Sequence, residues 1–216
     1  MYPDYYIGLD LGKDRDFSAV AIVERFERRL NTRDPVSFAF HTRISITVRH
    51  AERIRLGTSY PHVANRIAQI VSALPFSNSR HLIPDATGVG SPVVDMLKRA
   101  RLDAIITPVV ITGADSESES KGTFRVPKRD LIEGLQIMIQ SGDLEFAGGM
   151  PGLQTLMREL SAIRRWVAPS GHEVYGARKS GEHDDLVLAV ALACWRLRKV
   201  KRYTPSTPSD YRIVMG

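Results

Sequence analysis

Apolar residues recur at two spacings along this chain, and the change from one to the other divides it. Tyr5 to Asp10 is a short apolar run closed by an aspartate, and the turn Gly12-Lys13-Asp14-Arg15-Asp16 follows. Phe17 to Glu24 then resumes an apolar, β-branched pattern, the signature of a hairpin. From Ser37 to Val48, Phe38, Phe40, Ile44, Ile46 and Val48 alternate with polar residues, as in a strand with one exposed face. Three antiparallel strands are therefore expected to open the chain.

Beyond them the spacing becomes helical. Pro61 gives a helix-start signal, and Val63, Ile67, Ile70, Val71 and Leu74 follow at intervals of three and four. His81 to Pro84 reads as a brief strand. Gly88-Val89-Gly90-Ser91-Pro92 then leads into a helix carrying Val93, Val94 and Leu97, with Ser91 expected as N-cap and Pro92 in the first turn. Ala104 to Ile111 is the next expected strand, and this alternation implies parallel neighbours joined by right-handed crossovers. Thr112 to Phe124 has almost no apolar residue and is expected to be a mobile loop.

Pro127 starts a helix with Leu131, Leu135, Met138 and Ile139 that ends at Gly142, before a short strand from Leu144 to Phe146. Leu153, Leu156, Met157, Leu160 and Ile163 mark another helix, Trp166–Pro169 and Glu173–Ala177 a small hairpin, and Ala177–His183 a loose polar stretch. Asp184 to Lys199 is apolar nearly all round and should be a helix with most of its circumference buried. The whole predicts an α/β domain over residues 1–199 and a surface tail over 200–216.

Composition narrows the function. At 216 residues, 43% hydrophobic and 25% charged, the chain fits one sizeable soluble domain. A net charge of +6 and a pI near 9.6 favour a polyanionic partner, of which nucleic acid is the commonest. Cys194 is the only cysteine, so neither a disulfide nor a cysteine-based zinc site can form within one chain; it reads as a small buried hydrophobe. No charged-then-apolar leader follows Met1, and the longest apolar run, Leu186 to Trp195, is about half of what a bilayer crossing needs. A soluble protein of a reducing compartment, without membrane contact, is expected.

Three acidic positions then stand out, because each lies where an ordered element ends: Asp10, Asp85, and the pair Asp184-Asp185. Carboxylates forced together repel by several kcal/mol at low effective dielectric, so a fold that gathers them usually does so around a divalent cation. A magnesium-dependent phosphodiester enzyme is the leading idea. Taken singly, each has an ordinary role: Asp10 and Asp85 as turn formers, Asp184 and Asp185 as N-cap and first-turn charge of a helix. Asp85 to Gly90 could instead cradle a phosphate at a helix start. The basic run Arg196, Arg198, Lys199, Lys201, Arg202 fits either a DNA grip or a solvated helix end, and Arg164-Arg165, Arg178-Lys179 and the arginines between Arg25 and Arg55 are not shown by sequence to form one stripe.

The order and spacing of these segments resemble the RNase H-like nuclease domain of the large terminase subunit, the motor protein that packages DNA in tailed bacteriophages. The resemblance spans about residues 5 to 199. It rests on Gly8-Leu9-Asp10-Leu11-Gly12 followed by Asp16, Pro84-Asp85-Ala86-Thr87-Gly88-Val89-Gly90, Val126-Pro127-Lys128, and Gly181-Glu182-His183-Asp184-Asp185-Leu186 with Ala189. It implies a central mixed β-sheet, three antiparallel strands then parallel ones, flanked by α-helices. By the same resemblance Asp10 bridges two magnesium or manganese ions, Asp85 ligates one and Asp185 the other, with Asp184 a near-equal candidate, while Asp16 is auxiliary. His183, Lys13 and Arg15 are candidates to touch phosphate. Implied too are double-stranded DNA as substrate, cut from concatemers during genome packaging, an ATPase motor domain or subunit with the packaging machinery as partners, and the bacterial host cytoplasm as location.

One departure is plain: no Gly-x-x-x-x-Gly-Lys-Ser/Thr phosphate loop occurs, so this chain would not power packaging itself and reads as an excised domain or a stand-alone relative. Three rivals remain. The aspartate-glycine segments also suit the actin, Hsp70 and sugar-kinase superfamily, which needs a longer chain and small hydroxyl residues where Lys13 to Asp16 stand. A RuvC-like Holliday-junction resolvase shares the fold and acids but not Val126-Pro127-Lys128. A non-catalytic DNA-binding packaging protein leaves the full set of carboxylates unexplained.

Overall fold

The structure, a computed structural model, describes residues 2–12, 16–88, 90–167, 173–176 and 183–200. Strand β1 (Asp4–Asp10) pairs antiparallel with β2 (Ser18–Arg33), and β2 antiparallel with β3 (Phe40–Ile54). Helix α1 (Tyr60–Ala73) returns the chain to β4 (Ser79–Pro84), which lies parallel to the other edge of β1. Helix α2 (Gly90–Arg99) then leads to β5 (Ile105–Ile106), parallel to β4, and β9 (Leu144–Phe146) closes the far edge beside β3. The order β5-β4-β1-β2-β3-β9 is the expected mixed sheet.

Strand alternation splits the core into two layers. Tyr5, Ile7, Leu9, Val20 and Ile22 face α1 and α2, where Val63, Ile67, Val93 and Leu97 are buried. Tyr6, Ala19, Ala21, Val23, Ile46 and Val48 face α3 (Lys128–Gln140), α4 (Leu153–Ala162) and α5 (Asp185–Val200). Helix α5 is buried almost all round, from Asp185 to Cys194 and on to Trp195 and Leu197, as its composition predicts. It rests directly on the sheet, because Gly8 has no Cβ; one placed there would overlap the Ala189 carbonyl oxygen. Among the described residues no helix is long and apolar enough to cross a membrane.

Several boundaries differ from expectation. The third strand starts at Phe40 and runs to Ile54, and β2 continues to Arg33, so the pair forms a ribbon extending past the last β1 partner, Arg25. The expected strand over 104–111 is two: β5 stays in the main sheet, and after Thr107-Pro108 the chain enters β6 (Val109–Thr112) of a second sheet. The segment 112–124, expected as a mobile loop, holds β7 (Ser118–Ser120) and the start of β8 (Thr123–Pro127), with order β6-β8-β7. Its turn residues, Lys121 and Gly122, have φ of +50° and +76°, as a tight hairpin turn requires. Glu117 pins the segment to α5, accepting from Trp195 Nε1 at 3.0 Å and pairing with Lys199 Nζ at 2.7 Å.

Helix α2 already begins at Gly90, so Ser91 lies inside it rather than capping it. Strands β10 (Arg164–Val167) and β11 (Glu173–Gly176) form the expected small hairpin. Helix α5 reaches Val200, and Asp184 stands just before it, its carbonyl accepting the Leu188 N–H at 2.8 Å. The tail beyond Val200, the stretch 177–182, Lys13, Arg15, Arg178 and Lys179 lie outside the described residues.

Candidate active site

Parallel pairing of β1 and β4 sets their carboxyl ends side by side; β1 ends in Asp10, and Asp85 directly follows the last residue of β4. The Asp85 N–H continues the ladder by donating to the Leu9 carbonyl at 2.7 Å. Asp85 then bridges to Val109 and Ala86 donates to the Val109 carbonyl, tying the end of β4 to β6. Asp10 falls on the same strand parity as Tyr6 and Gly8, the face that packs against α5. The start of α5 adds Asp184 and Asp185. Asp10, Asp85 and Asp185 are all buried, with 7 to 9% of their surface exposed.

Burying these acids together changes their acidity. Asp10 is held well above the ordinary aspartate range, first by burial and then by the charges of Asp85, Asp185 and Asp184, with Lys128 opposing. Burial also raises Asp85, against two hydrogen bonds from Thr87. Asp185 is pushed up to about 6 by burial, aided by repulsion from Asp184 and Asp16 and opposed by Arg53 and His183. The structure therefore brings Asp10, Asp85, Asp184 and Asp185 together, with Asp16 in electrostatic reach of Asp185. Asp16 also lines a cavity of about 410 Å³ with Gly12, Ser18, Arg55, Thr58 and Ser59.

The surrounding residues hold this group in place. One Asp85 oxygen, Oδ1, accepts from the Thr87 N–H at 2.8 Å and from the Thr87 hydroxyl, which in turn accepts the Ile111 N–H at 2.9 Å. Glu159, on α4, accepts the Leu186 and Val187 N–H groups at 2.9 and 3.2 Å with Oε2, and so caps α5. Its Oε1 accepts from Arg53 at 2.7 Å, and burial outweighs this partner to push Glu159 up to about 7. The Arg53 guanidinium lies 4.9 Å from the Phe17 ring centre, and that ring meets His183 edge-on at 5.4 Å. Asp185 Oδ2 is 3.7 Å from Arg53 Nε and 3.6 Å from His183 Nδ1, yet it is buried and, among the described residues, accepts no hydrogen bond. Asp184 Oδ2, in contrast, pairs tightly with Lys128 Nζ at 2.6 Å.

Thr87, Arg53, Glu159 and Phe17 were not singled out by sequence reasoning, although Glu159 carried a signal: it interrupts the apolar stripe Leu156, Leu160, Ile163. Lys128 was visible only as part of Val126-Pro127-Lys128. His183 packs on Phe17 beside Asp185, at the site's edge.

The donor set fits a hard divalent cation. Carboxylate oxygens are the ligands such ions prefer, and an orphaned Asp185 oxygen beside an Asp10 carboxyl raised by like charges is what a cation would relieve. Among the described residues, however, no three acidic, histidine or cysteine side chains stand in an arrangement that could hold a metal ion as they are placed here. The cations beside these acids are protein ones, Lys128 on Asp184 and Arg53 near Asp185.

No protein-family model matches the chain. It is similar to the terminase large subunit of Thermus phage G20c, 23% identical over 189 residues, which are 88% of this chain and 31% of that protein. The chain thus spans about a third of the length of the curated relatives it matches. Its fold is similar to that of the large terminase nuclease from thermophilic phage G20c with bound magnesium (23% identity, TM-score 0.59, 90% of this chain and 82% of that one). The Thermus phage P74-26 large terminase nuclease domain is also similar (21% identity, TM-score 0.56, 88% and 78%). The fold is the α/β, RNase H-like one.

Proposed function

We propose that this chain is the nuclease domain of a terminase large subunit, a metal-dependent endonuclease that cuts concatemeric viral DNA during genome packaging. The observation that carries the reading is the convergence of Asp10, Asp85 and Asp185, buried and mutually repelling, where β1, β4 and α5 meet. The similar G20c nuclease is described with bound magnesium, which supports a divalent cation here.

Asp10, central to the group, Asp85 and Asp185 would hold magnesium or manganese, with Asp16 on the outer side. When bound, two such ions would supply an activated water and neutralise charge on the scissile phosphate. The protein's part is positional. Thr87 fixes one Asp85 oxygen, and the Arg53–Glu159 pair fixes the first turn of α5 that carries Asp185. Burial strips water from all three carboxylates and strengthens every interaction they make with a cation. Double-stranded DNA is the proposed substrate, and a terminase ATPase motor with the packaging machinery is the proposed partner, in the bacterial host cytoplasm.

The test is cleavage of supercoiled plasmid by the purified chain in manganese, magnesium or EDTA, with Asp10→Asn and Asp185→Asn alongside. Metal-dependent nicking that disappears in both variants is expected. Cleavage that survives in EDTA, or in Asp10→Asn, would overturn the reading.

A further inference from the structure

We infer that Lys128 contacts the phosphate backbone of the bound nucleic acid at this site and that Asp184 serves as its positioning carboxylate rather than as a metal ligand; this rests on the nuclease reading above.

The placement of Lys128 is rigid. Strand β8 lies parallel to β6, with Val126 opposite Ile111 and Pro127 opposite Thr112, and β6 is bridged to Asp85 at Val109. Lys128 follows as the first residue of α3, so two adjoining strands deliver its backbone to the end of the sheet where Asp85 lies. The side chain then reaches Asp184 Oδ2 at 2.6 Å while remaining about a third exposed. Gly176 of β11 lies against the pair: it adopts φ +152°, and a Cβ on it would stand 2.9 Å from Asp184 Oδ2 and 3.2 Å from Lys128 Nζ. Glycine leaves the pair room that any side chain would take.

The two cations beside the acids differ in what remains to be used. Arg53 is held by Glu159 and the Phe17 face, and its Nε, which makes no hydrogen bond among the described residues, is buried 3.7 Å from Asp185 Oδ2, away from an incoming group. Among the described residues Lys128 has one hydrogen-bonded acceptor, and an ammonium carries three donors, so its exposed side keeps donors for an incoming oxygen. Its charge acts favourably on both Asp10 and Asp85, which places it beside the carboxylates rather than at a remote surface. The two adjacent aspartates diverge in the same sense. Asp185 is buried with an oxygen lacking a hydrogen bond, whereas Asp184 already has its charge compensated. A phosphate entering beside Asp10 meets the ammonium on the side not occupied by carboxylate, and the charge that develops on its oxygens during cleavage is what a fixed donor stabilises.

The experiment compares the wild type with Lys128→Met, Lys128→Arg, Asp184→Asn and Asp10→Asn. It reads single-turnover cleavage of a duplex in manganese, duplex binding against salt in calcium, manganese affinity by calorimetry, and melting temperature. Lys128→Met is expected to slow cleavage about 100-fold, as loss of one transition-state donor does. It should lower the salt slope of duplex binding by about 1, and leave manganese affinity equal or tighter. Lys128→Arg should recover part of the rate, and Asp184→Asn should slow cleavage while retaining manganese binding. Wild-type cleavage and an unchanged salt slope in Lys128→Met, with Asp10→Asn inactive, would overturn the inference and leave the nuclease reading standing. Loss of manganese binding in Asp184→Asn would also overturn it, making Asp184 a ligand and Lys128 only its counter-ion. Failure of the wild type to cleave, or cleavage by Asp10→Asn, would remove the nuclease reading itself and the inference with it.

Discussion

Asp10 shows most directly how function opposes stability in this chain. Its carboxyl is raised by burial and by three neighbouring carboxylates, so its ionised form is costly when no cation is present. Asp10→Asn removes the charge and keeps the shape; the metal-free variant is expected to melt several degrees higher than the wild type and to be inactive. A lower melting temperature would mean that the aspartate is structural. The same acids set a pH dependence. Asp185 and Glu159 titrate at about 6 and about 7 in the folded chain, above their ordinary values, so the folded state binds more protons than the unfolded one between about pH 4 and 7. Stability in EDTA should therefore fall as pH rises through that window. Glu52, lowered by Arg66, works oppositely but below it. Melting curves at pH 5 and pH 8 check this, and magnesium should recover stability at pH 8 only.

At this scale the sequence revealed the acids and hid their supports. Asp10, Asp85, Asp184 and Asp185 were readable because each lies at or next to the boundary of an element, and position in sequence fixes that. Arg53 and Glu159 act through a contact between residues 106 positions apart, and no local pattern encodes such a pair, while Thr87 holds Asp85 from two residues away, a turn bond that the sequence leaves open among many.

Among the elements, β1 and α5 bear most on the site. Their contact depends on Gly8, where a methyl group would meet the Ala189 backbone. Gly8→Ala is expected to destabilise the fold by about 3 kcal/mol or more, the size of other backbone clashes in packed cores, and to displace Asp185 from Asp10. Chemical denaturation reads the first effect and manganese affinity the second. The β2–β3 ribbon should behave in the opposite way. Past Arg25 it pairs only with itself, and Arg29 and Arg33 stack on Phe40 outside either core layer. Replacing residues 29–42 with Asn-Gly joins the facing pair Arg28 and Arg43 by a favoured turn, and the melting temperature should change little.

Element types were readable wherever apolar periodicity was strong, which covers β1, α1, α3, α4 and α5. It failed where pairing alone makes the strand. The stretch over 118–123 is polar, and its strands exist because β8, β6 and Glu117 supply partners. The ribbon was foreshortened for the same reason: arginines and threonines pair across it without facing a core.

For the molecule as a whole, the net charge of +6 and the acidic site impose opposite fields on a polyanion. On the proposed function, three buried carboxylates repel the phosphate they would approach, so affinity would have to come from lysines and arginines around them and from cations bound between them. Duplex binding by the chain should therefore depend on both salt and divalent ion. Each phosphate neutralised by a protein cation contributes about 0.9 to the logarithmic salt slope, so two contacts already give roughly a ten-fold loss over a four-fold rise in salt. Measured by fluorescence anisotropy between about 50 and 200 mM salt, affinity is expected to fall by at least that factor. Adding calcium at fixed ionic strength should tighten binding of the wild type but not of Asp10→Asn. The two dependences separate the contributions. A flat salt response would deny a phosphate-gripping surface, while equal calcium responses in the two proteins would locate the ion's effect away from Asp10.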